Sequence, residues 1–368
     1  MSGEPMQPLQ GTIEEGFPEI DGEGFLEIDG EGFYLIPEVD RLQPFLMSIV
    51  SGGDQWMFIS SRGGLTAGRR DAASALFPYE TDDRLHNASG LTGSVTAIRH
   101  VEHGAEALWQ PLLGVPPPGA QRNLYKSVVG NQVIFEETYP EQGLAFRARW
   151  SNSDRFGFVR TATVVNLGER ARTLRVVDGL VNLLPYGLEP ALYQRMSNLT
   201  NAYKRSEVVD VDTRLAVFSL ESQVVDRPEP AEALVASIAW SDGLEEATVS
   251  VNRDTLEAFR SGGGARSDAL VTGRPGSYLL SSTVEIAPGE ARTWRIVADV
   301  GQDQVRVAAL RRWLRTSPDL GDTVAASVRE GTEALVALMA RSDALQRTGD
   351  RSATAHHFAN VTYNVMRG

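Results

Sequence analysis

The chain has 368 residues, of which 42% are hydrophobic and 23% are charged, a composition typical of a globular protein with room for more than one core. Its formal net charge of -13 argues against non-specific binding to nucleic acid or to an anionic membrane surface. The chain contains no cysteine, which excludes disulfides, thiolate nucleophiles and cysteine-ligated metals.

The sequence shows no sign of a membrane span or a secretory signal. No apolar run reaches the roughly 18 residues that cross a bilayer. The N-terminal region is acidic and polar, whereas a secretory signal has a basic start and an apolar centre. We therefore expect a cytoplasmic protein without a membrane partner.

A short unit occurs twice in succession near the N-terminus, as PEIDGEGF at 18–25 and LEIDGEGF at 26–33. Each copy contains Asp-Gly, a frequent turn dipeptide. The even spacing of Phe17, Phe25 and Phe33 would place them on one face of an extended chain. The repeat also carries acidic side chains that could offer oxygens to calcium, namely Asp21, Glu23, Asp29 and Glu31. Their spacing is not that of an EF-hand loop. We therefore predict a hairpin or strand extension rather than a metal site, within a flexible N-terminal segment that covers residues 1–32.

The next part of the chain has the pattern of β-strands. Segments with β-branched or alternating apolar residues recur between turn residues such as Gly, Asp-Gly and Pro-Gly. They are residues 56–61, 94–102, 132–140, 144–152, 157–166, 172–184, 215–222, 232–241, 277–286 and 292–300. In one of them Leu144, Phe146, Ala148 and Trp150 alternate with outward-pointing residues. This number of strands predicts a mainly β fold, a large antiparallel β-sandwich over residues 33–300.

A different pattern, typical of helices, begins after Val300. Apolar residues recur at helical spacing within 303–317, and Ser317-Pro318-Asp319 ends this helix. A second helix is predicted from about Thr323 to Gln346, and a third from about Ser352 to the last residue. We assign residues 301–350 to a helical linker and residues 351–368 to the first helix of a further helical unit.

The segment 56–83 has the composition of a binding loop. It begins as a strand and is predicted to continue as a long loop that mixes glycines, arginines, aromatic rings and acids. Arginine forks bind phosphate or carboxylate, but they also form salt bridges at a domain interface, and both uses stay open. The candidate residues for substrate binding or for a domain interface are Trp56, Arg62, Arg69, Arg70, Tyr79, Asp82, Asp83 and His86.

The sequence offers no clear catalytic or metal site. It contains no Gly-x-Ser-x-Gly, P-loop or HExxH motif. His100 and His103 are three residues apart and would face opposite sides of a strand, which favours solvated rim positions over shared metal binding. The acidic stretches 79–83 and 135–140 are candidates for the paired carboxylates of glycoside chemistry, although a turn or a solvated edge explains each as well. We predict no catalytic residue, no metal and no cofactor.

Three stretches resemble a known family: WMFISSRGGLTAGRRDAASALFPYETDD, then DGLVNLLPYGL with SNLTNAYKRSE, and the ending HHFANVTYNVMRG. Together they resemble the N-terminal region of cellobiose-phosphorylase-like proteins, the glycoside hydrolase family 94 and former glycosyltransferase 36 group, over roughly residues 33–368. The resemblance implies a galactose-mutarotase-like β-supersandwich, a helical linker and the start of an (α/α)6 barrel.

The function implied by this resemblance is that of a non-catalytic, carbohydrate-binding or structural module. Its partners would be an oligosaccharide or sugar substrate, the missing C-terminal catalytic barrel and a second copy in a homodimer. The parent family acts on glycosides by phosphorolysis or hydrolysis, and its catalytic residues lie on the barrel, which has no matching positions here. Two alternatives remain: a stand-alone sugar-binding protein, and a mutarotase-like epimerase. The epimerase would need His100 or His103 beside Glu102 or Glu136.

Overall fold

The computed structural model describes residues 24–102, 105–224, 232–264 and 266–341. This part of the chain is mainly β and forms three antiparallel sheets. The largest has eleven strands, in the spatial order β1 (Phe25–Ile28), β2 (Glu31–Ile36), β9 (Gln121–Ser127), β10 (Val133–Tyr139), β11 (Leu144–Ser153), β12 (Gly157–Asn166), β20 (Ala291–Asp303), β16 (Val235–Asp242), β15 (Leu215–Leu220), β14 (Lys204–Asp210) and β18 (Leu270–Thr272).

Two smaller sheets and six short or medium helices complete the described fold. The five-stranded sheet has the order β17 (Thr248–Ser250), β19 (Gly276–Ile286), β13 (Arg172–Leu183), β7 (Gly93–Glu102) and β8 (Ala105–Trp109). The four-stranded sheet has the order β3 (Leu46–Ile49), β4 (Gln55–Ser60), β5 (Leu65–Arg69) and β6 (Ala75–Phe77). The helices are α1 (Asp82–His86), α2 (Pro190–Arg195), α3 (Ser197–Ala202), α4 (Asp254–Arg260), α5 (Gln304–Thr316) and α6 (Leu320–Ala340).

The main hydrophobic core lies where the inner faces of the three sheets meet. The alternating residues of β11, Leu144, Phe146, Ala148 and Trp150, all point into this core, which confirms the prediction made from their spacing. Each of the ten predicted strand segments also forms a strand, with small differences at the ends. Alternation was the informative signal because one face of each strand must be apolar to pack against a neighbouring sheet.

The other face of the eleven-stranded sheet is covered by α5 and α6. Leu314 of α5 and Val324 and Val328 of α6 pack against Val159, Trp240 and other residues of the sheet. Arg311 and Arg315 of α5 donate to Asp210 at the end of β14, at 2.6 and 2.8 Å. The helices predicted after residue 300 are therefore confirmed up to Ala340, where α6 ends. The final helix predicted for 351–368 lies outside the described residues. None of the helices that the structure describes is both long and apolar enough to cross a bilayer.

The second copy of the repeat forms the hairpin of β1 and β2, with Asp29 and Gly30 as its two-residue turn. Both turn residues have positive φ, at 53° and 78°, as a tight hairpin turn requires. Part of the segment expected to be flexible therefore belongs to the large sheet, while residues 1–23 lie outside the described residues. The expectation that Phe25 and Phe33 share a face is wrong, because the turn places Phe25 opposite Tyr34 and Phe33 opposite Leu26.

Two further expectations need correction. Residues after 61 do not form one long loop, because 65–69 and 75–77 are strands of the four-stranded sheet. In the strand 65–69, Ala67 and Gly68 interrupt the β-branched pattern by which a strand is recognised. At Gly68 a side chain would meet Trp56 and the Ser74 carbonyl, each at 2.6 Å. His100 is not a solvated rim residue but is buried in β7, with 3% of its surface exposed.

Candidate functional site

A cavity of about 630 Å³ opens between the eleven-stranded and five-stranded sheets, and we call it the inter-sheet cavity. Its floor is formed by Phe135, Ala148, Trp150 and Arg160 on the adjacent strands β10, β11 and β12. Residues 94–96 of β7 face this floor from the other sheet. Residues of α1 and the loop 111–116 form the rim. A cavity of this volume is within the range of small-molecule sites.

A buried ion pair joins the two sheets at the floor of the cavity. Asp178 of β13 accepts hydrogen bonds from Arg160 Nη1 at 2.5 Å, Trp294 Nε1 at 2.7 Å and Thr96 Oγ1 at 2.6 Å. Arg160 also donates to Thr96 at 3.0 Å. The buried Nε of Arg160 has no hydrogen-bond partner among the residues that the structure describes. The guanidinium of Arg160, on the cavity floor, is therefore held by a carboxylate behind it and leaves its Nε without a partner in the described residues.

A second buried carboxylate fixes the rim. Glu137 of β10 accepts from Trp109 Nε1 at 2.6 Å, from the Leu112 amide at 2.9 Å and from Arg122 Nε at 2.6 Å. Arg122 in turn donates to the Gly114 carbonyl at 2.6 Å, which holds the loop 111–116 in place. Glu137 and Asp178 each accept three hydrogen bonds, one of them from an arginine, so both carboxylates hold the surrounding strands and loops in place.

His86 of α1 reaches the rim from the opposite side, and its ring is held at both nitrogens. Nδ1 lies 2.8 Å from the Ser60 hydroxyl, and Nε2 lies 3.1 Å from an Asp82 carboxylate oxygen. The contacts Ser60–His86–Asp82 link the same residue types as a serine-hydrolase triad. However, Ser60 is completely buried, so no substrate can reach its hydroxyl. Ser60 and Asp82 therefore orient the His86 ring, and the ring itself is the group presented to the cavity.

The structure separates the eight predicted site residues into different places. Arg62 and His86 line the inter-sheet cavity, and Asp82 contacts His86. The Arg62 side chain is exposed and forms no ion pair within the described ranges. Asp83 accepts from the Thr81 hydroxyl at 2.5 Å near the start of α1, and this hydrogen bond lowers the pKa of Asp83.

The other predicted residues lie away from the cavity. Arg69 joins the four-stranded sheet to β20, with Nε 2.7 Å from Asp299 and Nη1 2.5 Å from Asp54. Arg70 is largely exposed beside it. Trp56 and Tyr79 pack edge to face, with ring centroids 5.5 Å apart. Arg69 therefore takes part in ion pairs that connect the four-stranded sheet to β20, and the rings of Trp56 and Tyr79 contact each other.

The central residues of the cavity have only weak signals in the sequence. Arg160 is the one charged residue in the segment GFVRTATVVN, and a charge in a buried strand needs a partner. Neither Arg160 nor Arg122 was predicted. Trp150 was predicted as core, and it is both core and cavity floor.

Neither proposed acid–base arrangement assembles in the described residues. Glu136 and Glu137 are adjacent in β10, so they point to opposite faces of the sheet. Glu136 accepts from Tyr125 at 2.8 Å and Arg147 at 2.6 Å on the outer face, whereas His100 belongs to the five-stranded sheet. The side chains of Glu102 and His103 are outside the described part. No group of three His, Asp or Glu side chains suited to a metal ion occurs in the described ranges.

Comparison with known proteins gives structural likeness but no sequence match. No protein-family model matches the chain. No curated protein matches it either. A protein described as a kojibiose phosphorylase from the human microbiome is 9% identical over 73% of this chain and 30% of its own, with a TM-score of 0.42. A polysaccharide lyase is 10% identical over 73% of this chain and 34% of its own, with a TM-score of 0.40.

A third similar structure is a galactose mutarotase-like protein from Clostridium acetobutylicum, 9% identical over 74% of this chain and 99% of its own, with a TM-score of 0.40. The aligned region thus spans about a third of the phosphorylase and lyase chains, 30% and 34%, and nearly all of the mutarotase-like chain. Likeness of this degree carries no conclusion about substrate or activity.

Proposed function

We propose that the inter-sheet cavity binds a carbohydrate and that the chain is the N-terminal carbohydrate-binding and structural module of a cellobiose-phosphorylase-like enzyme of glycoside hydrolase family 94. The observation that carries the binding proposal is the lining of the cavity. Hydrogen-bonding side chains converge there beside an indole ring, within a space of about 630 Å³. They include Arg62, Asn87 and Arg160, and Trp150 supplies the ring.

The chemistry of this lining suits a polyhydroxylated ring. Sugar hydroxyls accept hydrogen bonds from guanidinium and amide N–H groups, and they donate to amide oxygens. The apolar floor of Phe135, Ala148 and Trp150 can pack against the C–H face of a sugar ring. A cavity that combines a few placed polar groups with apolar walls is typical of ligand sites.

The lining favours binding without turnover. Glycoside hydrolysis uses two carboxyl groups on either side of the scissile bond. The two buried carboxylates near the cavity, Glu137 and Asp178, are held in hydrogen bonds to arginines. Neither of these carboxylates lines the cavity, and Asp40, which is exposed at the rim, is the one carboxylate among the described lining residues. We therefore assign the chemistry of the parent enzyme to the separate catalytic barrel.

Calorimetry with the purified chain tests the binding proposal. Glucose, galactose, cellobiose and longer oligosaccharides would be titrated into the wild type, Arg62→Ala and Arg329→Ala. Arg62→Ala should weaken sugar binding about tenfold, the low end for a lost charged hydrogen bond, because the side chain is exposed. Arg329 is exposed on α6, away from the cavity, and its replacement should change nothing. The absence of binding heat for every sugar at millimolar concentration would refute the proposal.

The module part of the proposal has its own test. It includes a helical barrel that follows this chain and a homodimer, both implied by the resemblance of residues 33–368 to the family. It also includes a cytoplasmic location, which is inferred from the acidic, polar N-terminal region. Sequencing the gene beyond the codon for Gly368 would decide between a module and a stand-alone sugar-binding protein. A reading frame that continues through pairs of amphipathic helices supports the module, and an immediate stop codon supports the stand-alone alternative.

A further inference from the structure

A second hollow, of about 710 Å³, lies on the other side of the large sheet, beside α5, and we call it the helix-side groove. One wall is the end of β20 and the start of α5, which includes Asp299 and Arg306. The other wall includes Arg155 and Phe156, between β11 and β12. None of the residues that form the inter-sheet cavity lines this groove, so the two sites are separate.

Aromatic rings form the base of the groove. Trp313 of α5 lies against Phe156, with ring centroids 4.9 Å apart and planes inclined by 30°. Trp240 of β16 meets Trp313 edge to face at 5.8 Å. Trp313 is half-buried, so part of its ring remains open, and the Trp240 indole N–H has no partner in the described ranges. A half-open indole at the base of a groove is a surface on which a ligand ring can stack.

Three of the four carboxylates that line the groove accept hydrogen bonds from other residues of the lining. Asp299 accepts from Arg69 at 2.7 Å and from Gln302 Nε2 at 2.8 Å. Asp54 accepts from Arg69, and Asp303 accepts from the Arg306 amide at 2.8 Å as the cap of α5. Burial raises the pKa of Asp299, and the neighbouring Arg69 offsets part of that shift.

Two arginines of the groove retain an unpaired charge. Arg155 is exposed and lies over the Phe156 and Trp313 rings, 4.7 and 5.4 Å from their centroids. Arg306 is also exposed and donates to the Gly301 carbonyl at 3.3 Å. Neither forms an ion pair with a residue that the structure describes. Arg70 lies 3.6 Å from Asp54, which Arg69 also contacts, and Asp154 is a further carboxylate of the lining. The lining holds four arginines and four aspartates, so its formal charges balance, whereas the chain as a whole carries -13. Arg155 and Arg306 are the two arginines of this lining without an ion pair in the described ranges.

We propose that the helix-side groove is a second ligand site, which binds an acidic sugar through its ring and its anionic group. The Trp313 ring would stack on the sugar, and the guanidinium groups of Arg155 and Arg306 would bind the anion. Guanidinium forks bind carboxylate and phosphate in the same bidentate way, so the ligand is a uronic acid or a sugar phosphate. This proposal does not depend on carbohydrate binding in the inter-sheet cavity.

The test compares acidic and neutral sugars on matched variants. Glucuronate, glucose 6-phosphate and neutral glucose would be titrated into the wild type, the double variant Arg155→Ala/Arg306→Ala, and Arg312→Ala. Tryptophan fluorescence reports the environment of Trp313, and calorimetry gives the affinity. Arg312 is an exposed arginine of the same helix that does not line this groove, so it controls for the loss of charge alone.

We expect glucuronate or glucose 6-phosphate to bind more than tenfold tighter than glucose at this site. The one that binds tighter shows whether the groove prefers a carboxylate or a phosphate. The double variant should lose about tenfold or more in affinity for that acid, as expected for lost charge-assisted hydrogen bonds. Arg312→Ala and Arg62→Ala should retain it, and circular dichroism should show all variants folded. The proposal is wrong if neither acid binds, if glucose binds equally well in the groove, or if the double variant binds like the wild type.

Discussion

Replacement of Arg160 by methionine tests whether the ion pair between the two sheets stabilises the fold. The substitution retains much of the side-chain volume but leaves Asp178 buried with only Thr96 and Trp294 as donors. Both members of the ion pair are almost completely buried, at 1% and 0% side-chain exposure. Removal of one partner from such a pair costs about 3–5 kcal/mol, because it leaves a buried charge uncompensated.

Urea unfolding followed by circular dichroism measures this effect. With an m-value of about 3 kcal/mol/M, the expected loss lowers the midpoint by roughly 1 M or more. The single variant Asp178→Asn should lose a similar amount, since it leaves the arginine buried without an anion. The double variant Arg160→Met/Asp178→Asn buries no charge, so it should be more stable than the sum of the single losses predicts, by about 2 kcal/mol.

Arg329→Met is the control, because this arginine is exposed on α6. The urea midpoint of this variant should stay close to that of the wild type. Strict additivity of the two single changes would contradict the paired arrangement. So would an Arg160→Met variant that loses less than about 1 kcal/mol, far below the range for a broken buried pair.

Two further predictions concern a buried lysine and the hairpin turn. Burial lowers the pKa of Lys126 to about 7, and its ammonium donates to the Ser48 and Gly130 carbonyls at 2.6 and 2.9 Å. Between pH 7 and the ordinary lysine pKa, the unfolded chain binds a proton that the folded chain lacks, so the free energy of unfolding should rise with pH. Urea midpoints measured from pH 7 to 9.5 should show this rise. Lys126→Met should make the rise smaller. A slope that is equal in both proteins would contradict the assignment. Gly30→Ala should lower the free energy of unfolding by about 1 kcal/mol, because φ is +78° there and nothing else obstructs a side chain. Gly52→Ala, equally open but without positive φ, should be nearly neutral, and equal losses would count against the strain argument.

The sequence by itself determined the class of the fold and the order of its parts. Strict alternation in strands such as β11, and apolar residues at helical spacing in α5, depend on local geometry, so each could be recognised within a short window. The Asp-Gly turn of the second repeat copy was equally readable, because few residue pairs accept positive φ at both positions. The strands β5 and β6 were missed, since they have only five and three residues, too few for an alternating pattern to stand out.

Tertiary structure alone decided which side chains share a site. Arg62 and Arg69 are close in the sequence, but one lines the inter-sheet cavity and the other pairs with Asp299, which is far away in the chain. Arg160 meets Asp178 across two sheets, and no local pattern encodes a contact between strands of different sheets. The physical reason is that hydrophobic periodicity is a property of a single strand or helix, whereas a cavity is formed by the packing of several elements.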